Sequence, residues 1–489
     1  MDRAIFAACV NQYIIFQQYK IFWVIRIVEL DTSSMRSPKK KRRKLRMSER
    51  APAHRWFMVA MATLLMICLG TVYAWSYFQT PIMKAYGWNT TQVSLIFSFT
   101  ILFLGVAAAI GGVVLPRVGP RRLALSGSIL FSLGYAVAAL ALSIKSLALL
   151  YIGYGFIGGT GLGLGYVTPV TTIAKWFPDR KGLATGIVVM GFGFGALVMS
   201  KVLAPLLLSL TGSNLVTTFL LFAVLFFAIT MTSSSFLRTP PPDWKSGASP
   251  SKTDSVGNAP SAMLSQFPRT AANVPSPLEA FRAAKGDILS ARFLLLWLMF
   301  FCNISAGITV VGFQSPMFQK LLAQSNPALT SVALAAMGAT LIAVTSIFNG
   351  VGRFFWGAVS DRVGRIATFR IMLGSELVIF ILLIITHQPI LFAALLCWVL
   401  LCYGGGFGIM PSAVAELFHP NKMTVIYGAA LTAWAAGGVV GPQITAFIQD
   451  SVPERASTLS FIVGACFVAL GFALSLIIQI RAKKSGRRA

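Results

Sequence analysis

The sequence predicts an all-α polytopic membrane protein, in which twelve transmembrane helices form two pseudo-symmetric halves of six. Three observations predict this class: an apolar composition, twelve long apolar blocks, and a repeat that relates the first six blocks to the last six. Of the 489 residues, 56% are apolar and only 11% are charged, whereas an average soluble domain is about 25% charged. A soluble domain of this length would need more surface charge, and a disordered chain would contain fewer apolar residues.

Twelve blocks of the sequence meet the requirement of about 20 mainly apolar residues for a membrane-spanning helix. We number them spans 1 to 12. They lie near residues 56–80, 93–115, 123–144, 147–170, 182–210, 214–237, 293–318, 331–357, 366–386, 389–413, 424–448 and 458–480.

The blocks divide the chain into five segments. These are a basic N-terminal extension (1–54), a first six-helix half (55–237), a linker (238–292), a second six-helix half (293–480) and a basic tail (481–489). The linker is rich in Ser and Pro, a composition typical of flexible connections. The extension is expected to be disordered, or absent from the native protein if translation starts at Met47.

The excess of positive charge predicts an orientation. The chain holds 41 Lys and Arg against 14 Asp and Glu, a net charge of +27. One alternate set of connections, with the linker and tail, holds 22 of the basic residues, and the opposite set holds four. Because basic residues favour the cytoplasmic side, the linker and both termini are expected in the cytoplasm. This distribution does not indicate nucleic-acid binding, and the expected location is a bacterial inner membrane.

Short motifs recur in the two halves. Phe78-Gln79-Thr80-Pro81 in span 1 corresponds to Phe313-Gln314-Ser315-Pro316 in span 7, at an offset of 235 residues. Gly112 to Gly119 after span 2 corresponds to Gly357 to Gly364 after span 8, at an offset of 245. The near-constant offset indicates two related halves, and carriers built in this way bind substrate near the bilayer midplane, between the halves.

These motifs resemble those of known carriers. Gly357-Ala-Val-Ser-Asp361-Arg362-Val-Gly364-Arg365 resembles the cytoplasmic signature of the major facilitator superfamily. Segments 70–76, 176–186, 349–353 and 404–408 resemble the oxalate/formate antiporter family and its monocarboxylate-transporter relatives. The resemblance covers residues 55–480. It implies the major facilitator fold and secondary active transport of small organic anions by alternating access, as antiport or proton symport.

Ionisable residues are rare inside the spans, where charge is costly and usually functional. Arg353 in span 8 is the first candidate, and it shares a helical face with Thr345 and Asn349 because the three recur every four residues. A guanidinium offers a fork of donors that matches a carboxylate. The alternative is an arginine that extends to the lipid headgroups. The resemblance implies that Arg353 binds the substrate carboxylate.

The resemblance also bears on substrate charge. Oxalate-specific members place a lysine in span 11, and Trp434 occupies the matching position here. A dianion beside one cation would keep an uncompensated buried charge. A monocarboxylate such as formate, lactate or pyruvate is therefore expected, and an oxalate/formate exchanger is the alternative.

Further residues are predicted for the pocket, the gate and proton coupling. Tyr73, Tyr166 and Tyr403 are the first candidates for the pocket, and Gln79, Tyr154, Asn303 and Trp398 are additional candidates. The resemblance assigns Asp361, Arg362 and Arg365 to a gate, in which Asp361 contacts the start of span 11. Glu376 in span 9 is a candidate for carrying a coupling proton or, alternatively, a locally hydrogen-bonded residue. Lys201 in span 5 is predicted to extend to the outer interface.

Other functions are less consistent with the sequence. No set of Ser, His and Asp indicates an enzyme, and the cysteines show no metal-ligand spacing, so neither catalysis nor a cofactor or metal is expected. The expected partners are a small carboxylate anion and membrane lipid, and the protein is expected to act as a monomer. The remaining alternatives are a proton-coupled exporter of drugs or other metabolites, which the absence of acids in spans 1 and 4 disfavours, and a non-transporting membrane sensor.

Overall fold

The computed structural model describes residues 51–177, 181–240, 276–418 and 422–484. Within these ranges the chain is helical between short connections and contains no β-strand. Most of the predicted N-terminal extension, including Met47, lies outside the described residues, as do the Ser- and Pro-rich part of the linker and the last five residues.

The described residues contain twelve helical spans that are long and apolar enough to cross a membrane, which confirms the predicted number of spans and the all-helical fold class. In order, they are Arg55–Tyr86, Thr90–Val118, Pro120–Ser143, Leu147–Trp176, Leu183–Leu210, Leu215–Ser235, Ala291–Ser325, Ser331–Val363, Arg365–Ile385, Pro389–Leu417, Met423–Ser451 and Ala456–Ile480. The helices that contain spans 1 and 12 extend slightly further, from Ala51 and to Lys484.

Four spans depart from a continuous α-helix. Span 1 consists of helices Ala51–Gly70 and Trp75–Tyr86, separated by a 3₁₀ turn at Thr71–Ala74. Spans 4 and 5 contain π-helical segments at Tyr151–Gly158 and Met199–Leu203, and span 11 is divided into Met423–Ala430 and Thr432–Ser451. Irregular turns within helices often mark functional positions. One of these four breaks contains Tyr73, and another lies three residues before Trp434.

The two halves contact each other mainly through span 2 with span 11 and span 5 with span 8. Glycines permit the close approach of these helices. A Cβ atom added at Gly105 would lie 2.7 Å from the Cβ of Ala435, and the Cα of Gly350 leaves no room for a side chain at Gly193. The backbones of the two halves are therefore almost in contact along both pairs.

Hydrogen bonds also join the halves at the end of the bundle opposite the linker. The Asp450 carboxylate at the end of span 11 accepts bonds from the backbone N–H groups of Thr90 (3.2 Å) and Thr91 (2.8 Å) at the start of span 2. Lys201 Nζ in span 5 donates to Thr340 Oγ1 in span 8 at 2.6 Å. These bonds hold the two halves together at this end of the bundle.

The linker contains a helix, Pro277–Ile288, that its composition does not indicate. A capping box begins this helix, and the backbone N–H of Ser276 lowers the pKa of the Glu279 carboxyl by donating a hydrogen bond to it. Near the other end of the helix, Asp287 Oδ2 forms an ion pair with Lys422 Nζ at 2.9 Å. This contact attaches the linker helix to the start of span 11.

Candidate functional site

Arg353 lies in the protein interior, with 2% of its surface exposed. Its Nη1 donates to the Tyr166 hydroxyl at 3.4 Å. The guanidinium carbon lies over the rings of Phe407 at 4.8 Å and Phe192 at 5.4 Å. The side chain is thus enclosed between aromatic faces, which attract a cation, and it does not extend to the surface of the bundle.

The guanidinium keeps unused donors in this buried position. Nε and Nη2 of Arg353 have no hydrogen-bond partner among the described residues, and no carboxylate within those residues forms an ion pair with it. Buried charges are normally paired. A carboxylate ligand would satisfy both the charge and the fork of donors.

Three tyrosines and Trp434 complete the surroundings of Arg353. The hydroxyls of Tyr73 in span 1 and Tyr403 in span 10 share a hydrogen bond of 2.7 Å, so the bond joins the two halves. The Trp434 ring in span 11 lies 5.2 Å from Tyr166 and 6.4 Å from Tyr73, measured between ring centroids. All four side chains are buried.

The sequence prediction missed two members of this group. Phe192 in span 5 contacts the rings of Tyr73, Tyr166 and Trp434 at 5.1–5.8 Å, and Phe407 in span 10 lies 4.6 Å from Trp434. Phe407 follows Tyr403 by four residues, a spacing that places both on one helical face and could have identified it. We refer to these seven side chains as the Arg353 cluster: Tyr73, Tyr166, Phe192, Arg353, Tyr403, Phe407 and Trp434.

Asn349 and Thr345 lie on the same buried face of span 8 as Arg353, as the spacing predicts. Thr345 Oγ1 donates to Gln314 Oε1 in span 7 at 2.6 Å, and Asn349 Oδ1 has no partner among the described residues. Gln314 is the repeat counterpart of Gln79. Gln79 itself is buried in span 1, but no hydrogen bond within the described residues joins it to the Arg353 cluster.

Three other pocket candidates lie outside the cluster. Tyr154 packs against Trp75 and Tyr135 inside the first half. Trp398 is 36% exposed, and its Nε1 donates to Ser375 at 3.1 Å. Asn303 bonds to Glu376, which is completely buried in span 9.

The predicted gate residues lie together at the end of the bundle that carries the linker. Arg365 at the start of span 9 pairs with Asp361 at 2.6 Å and with Glu416 at 2.8 Å, while Arg362 is exposed. These bonds connect spans 8, 9 and 10 within the second half. The expected bond from Asp361 to the start of span 11 is not found in the described part of that span, which begins at Lys422.

Metal binding has no structural support in the described part of the chain. No group of three or more His, Cys, Asp or Glu residues is placed there so that it could hold a metal ion. The Arg353 cluster itself offers a guanidinium and phenol hydroxyls within aromatic walls, groups that are suited to an anion.

Comparisons with known proteins identify the family of this chain. A family model described as Major Facilitator Superfamily matches residues 56–442. The oxalate:formate antiporter of Oxalobacter formigenes is 25% identical over 430 residues, which are 87% of this chain and 91% of that protein. The apicoplast pyruvate carrier 1 of Toxoplasma gondii is 27% identical over 73% of this chain and 69% of that protein.

A solved structure is similar to this chain over most of its length. It is a bacterial homologue of the human lysosomal transporter Spinster, in an inward-facing and unoccupied conformation. The TM-score is 0.60 and the match covers 90% of this chain and 99% of that chain, with 15% sequence identity. At this identity the likeness shows the fold alone.

Proposed function

This chain belongs to the major facilitator superfamily, and we propose that it is a secondary active transporter of small monocarboxylate anions that works by alternating access. The observation that carries the proposal is Arg353, a buried cation with two unpaired guanidinium donors. It lies where side chains of both halves meet, which is where carriers of this architecture bind their substrates.

Both halves contribute to the proposed site. Arg353, Tyr403, Phe407 and Trp434 belong to the second half, and Tyr73, Tyr166 and Phe192 belong to the first. An anion bound to Arg353 would therefore contact side chains of both halves at once. A ligand can shift a conformational equilibrium only through such differential contacts, so this arrangement supports alternating access.

The proposed substrate carries one negative charge. Arg353 is the only cationic member of the cluster, and Trp434 presents an aromatic ring where a second cation would be needed for a dianion. Burying the second charge of oxalate without a partner would be costly. One relative is named as an oxalate:formate antiporter and the other as a pyruvate carrier. We propose formate, lactate or pyruvate as the substrate of this chain.

Counterflow in proteoliposomes tests this proposal. Liposomes loaded with one monocarboxylate should accumulate labelled formate, lactate or pyruvate, and labelled oxalate should enter at least about tenfold more slowly. Arg353→Gln should abolish exchange, whereas Arg455→Gln, which removes an exposed arginine from a connection, should not. Oxalate exchange as fast as that of the monocarboxylates would refute the assigned substrate charge.

We also infer that the termini and the linker lie in the cytoplasm of a bacterial cell and that the protein lies in its inner membrane. The supporting observation is the excess of basic residues on one set of connections. Labelling of intact cells should modify a cysteine placed at Arg455 and spare one placed at Arg282. The opposite result would invert the orientation.

A further inference from the structure

Glu376 is a second buried ionisable residue that the anion site does not use. Its side chain is completely buried, in the middle of span 9. Asn303 Nδ2 in span 7 lies 3.4 Å from Glu376 Oε2 and 3.4 Å from the backbone carbonyl of Cys402 in span 10. Three spans of the second half therefore meet at this carboxyl group.

No cation compensates the carboxyl group in the described residues. Cys402 is its titratable neighbour from span 10. Span 12, which packs against span 9, has no charged residue between Ala456 and Ile480. The charged residues of span 8 and the nearest one of span 9 make other contacts or are exposed: Arg353, Asp361, Arg362 and Arg370.

Two buried oxygen atoms at this site have no partner. They are Oε1 of Glu376 and Oδ1 of Asn303, and they belong to the two side chains that already share an N–H···O bond. A protonated carboxyl group can donate to an amide oxygen while it accepts from the amide N–H, whereas a carboxylate can only accept. A proton on Glu376 Oε1 would turn that atom into a donor, and Asn303 Oδ1 is an unpaired acceptor on the neighbouring side chain.

We propose that Glu376 and Asn303 form a proton-binding site and that the carrier moves one proton together with each monocarboxylate. This inference rests on the proposed function and extends it from anion transport to proton symport. The proton forms an O–H bond at the Glu376 carboxylate when the site opens to one side. It returns to water when the site opens to the other.

The site has a structural route to the Arg353 cluster. Asn303 contacts the carbonyl of Cys402, and the next residue in span 10 is Tyr403, whose hydroxyl bonds to Tyr73 of the first half. Gly406 also lies directly against Asn303. Loss of the proton would remove the hydrogen bond that Glu376 donates to Asn303. Because Asn303 lies against the segment of span 10 that carries Tyr403, proton binding and anion binding both act on span 10.

A glutamine at position 376 tests the coupling, because it is neutral and retains an N–H donor for Asn303. Glu376→Gln should keep monocarboxylate counterflow, which needs no net proton movement, and should lose the stimulation of net uptake by an inward proton gradient. The matched control is Glu454→Gln, which neutralises an exposed carboxylate and should keep both activities. Gradient-stimulated uptake in Glu376→Gln equal to that of the wild type would overturn the proposal.

A spectroscopic measurement tests proton binding without any substrate. Infrared difference spectra of the purified protein should contain the carbonyl band of a buried protonated carboxyl group, absent from Glu376→Gln, and the band should decrease as pH rises. Asn303→Val, which removes the amide partner, should shift this band to higher frequency. A missing band, or one that does not respond to pH, would rule out an exchangeable proton here, even if monocarboxylate counterflow itself were not observed.

Discussion

Replacement of Arg353 by methionine should leave the fold nearly as stable as before. The variant loses two cation–π contacts, with Phe192 and Phe407, each worth about 0.5–2 kcal/mol. It also removes a buried charge that has no counter-ion within the described residues, and replacing buried ionic groups by apolar ones is often neutral or stabilising, by about 1–4 kcal/mol. The two effects oppose each other, and the midpoints of their ranges, about 2.5 kcal/mol each, cancel, so the free energy of unfolding should change little.

The same substitution should strongly weaken substrate binding. Nε and Nη2 of Arg353 are free to give a carboxylate two charge-assisted hydrogen bonds, and bonds to charged groups contribute about 1.5–3 kcal/mol each. Their loss amounts to about 3–6 kcal/mol, which corresponds to a decrease in affinity of about 10²–10⁴-fold. Arg353→Lys keeps the charge but not the fork, so it should have an intermediate affinity.

Two measurements on the same preparations separate binding from folding. Counterflow gives the apparent affinity for the monocarboxylate, and thermal unfolding in detergent, with and without ligand, gives the stability. The expected result for Arg353→Met is a stable protein whose unfolding temperature no longer rises with ligand. Wild-type affinity in this variant would refute the assignment of Arg353 to the substrate, and a protein that fails to fold would make the residue structural.

Three other substitutions test the contacts between and within the halves. Tyr403→Phe leaves the Tyr73 hydroxyl buried without its partner and should lower the free energy of unfolding by about 1–3 kcal/mol, measured by thermal unfolding. Gly408→Ala would place a methyl group against the main chain of span 8 at Arg353. Spans 8 and 10 would have to move apart to accommodate it, which should displace Arg353 and lower the counterflow rate. Asp450→Asn weakens the charge-assisted bonds to the start of span 2 and should raise the rate at which a thiol reagent modifies Ser94→Cys.

Each of these variants has a matched control. Tyr86→Phe removes a phenol hydroxyl that is not fully buried, and Gly312→Ala adds a methyl group whose nearest neighbour would be 3.8 Å away. Glu454→Gln neutralises an exposed carboxylate at the same end of the bundle as Asp450. If any control changes the measured property as much as its partner does, the specific contact does not explain the effect.

The fold could be predicted because hydropathy and the repeat act on long segments. A run of about 20 apolar residues has few alternatives to a membrane-spanning helix, and an offset near 240 residues specifies which spans correspond. The helix Pro277–Ile288 could not be found in this way, since it is short and lies in a linker whose composition resembles a flexible connection.

The site could be predicted only where a residue type is unusual for its position. Arg353 stands out because a charge inside a span is costly, and Tyr73 and Tyr403 lie in or next to segments that the family resemblance marks. Phe192 carries no such signal, because it is one of 37 phenylalanines in the chain. Phe407 is marked only by its spacing of four residues from Tyr403 and by its place in segment 404–408. The side-chain direction that brings these two rings to the guanidinium depends on tertiary packing, which sequence spacing does not fix.

The two buried ionisable groups together imply a rule for coupling. In the empty carrier Arg353 and Glu376 carry opposite charges, and in the fully loaded carrier a carboxylate neutralises the first and a proton the second. Both states therefore hold no net buried charge, whereas a carrier loaded with the anion alone or the proton alone holds one. An uncompensated buried charge is strongly disfavoured, so the carrier in which both groups are neutralised should change conformation most readily. The empty carrier, whose two charges are opposite but unpaired, should do so more readily than either half-loaded carrier. With the anion bound at Arg353 and the proton at Glu376, this charge balance couples the movement of the proton to that of the monocarboxylate.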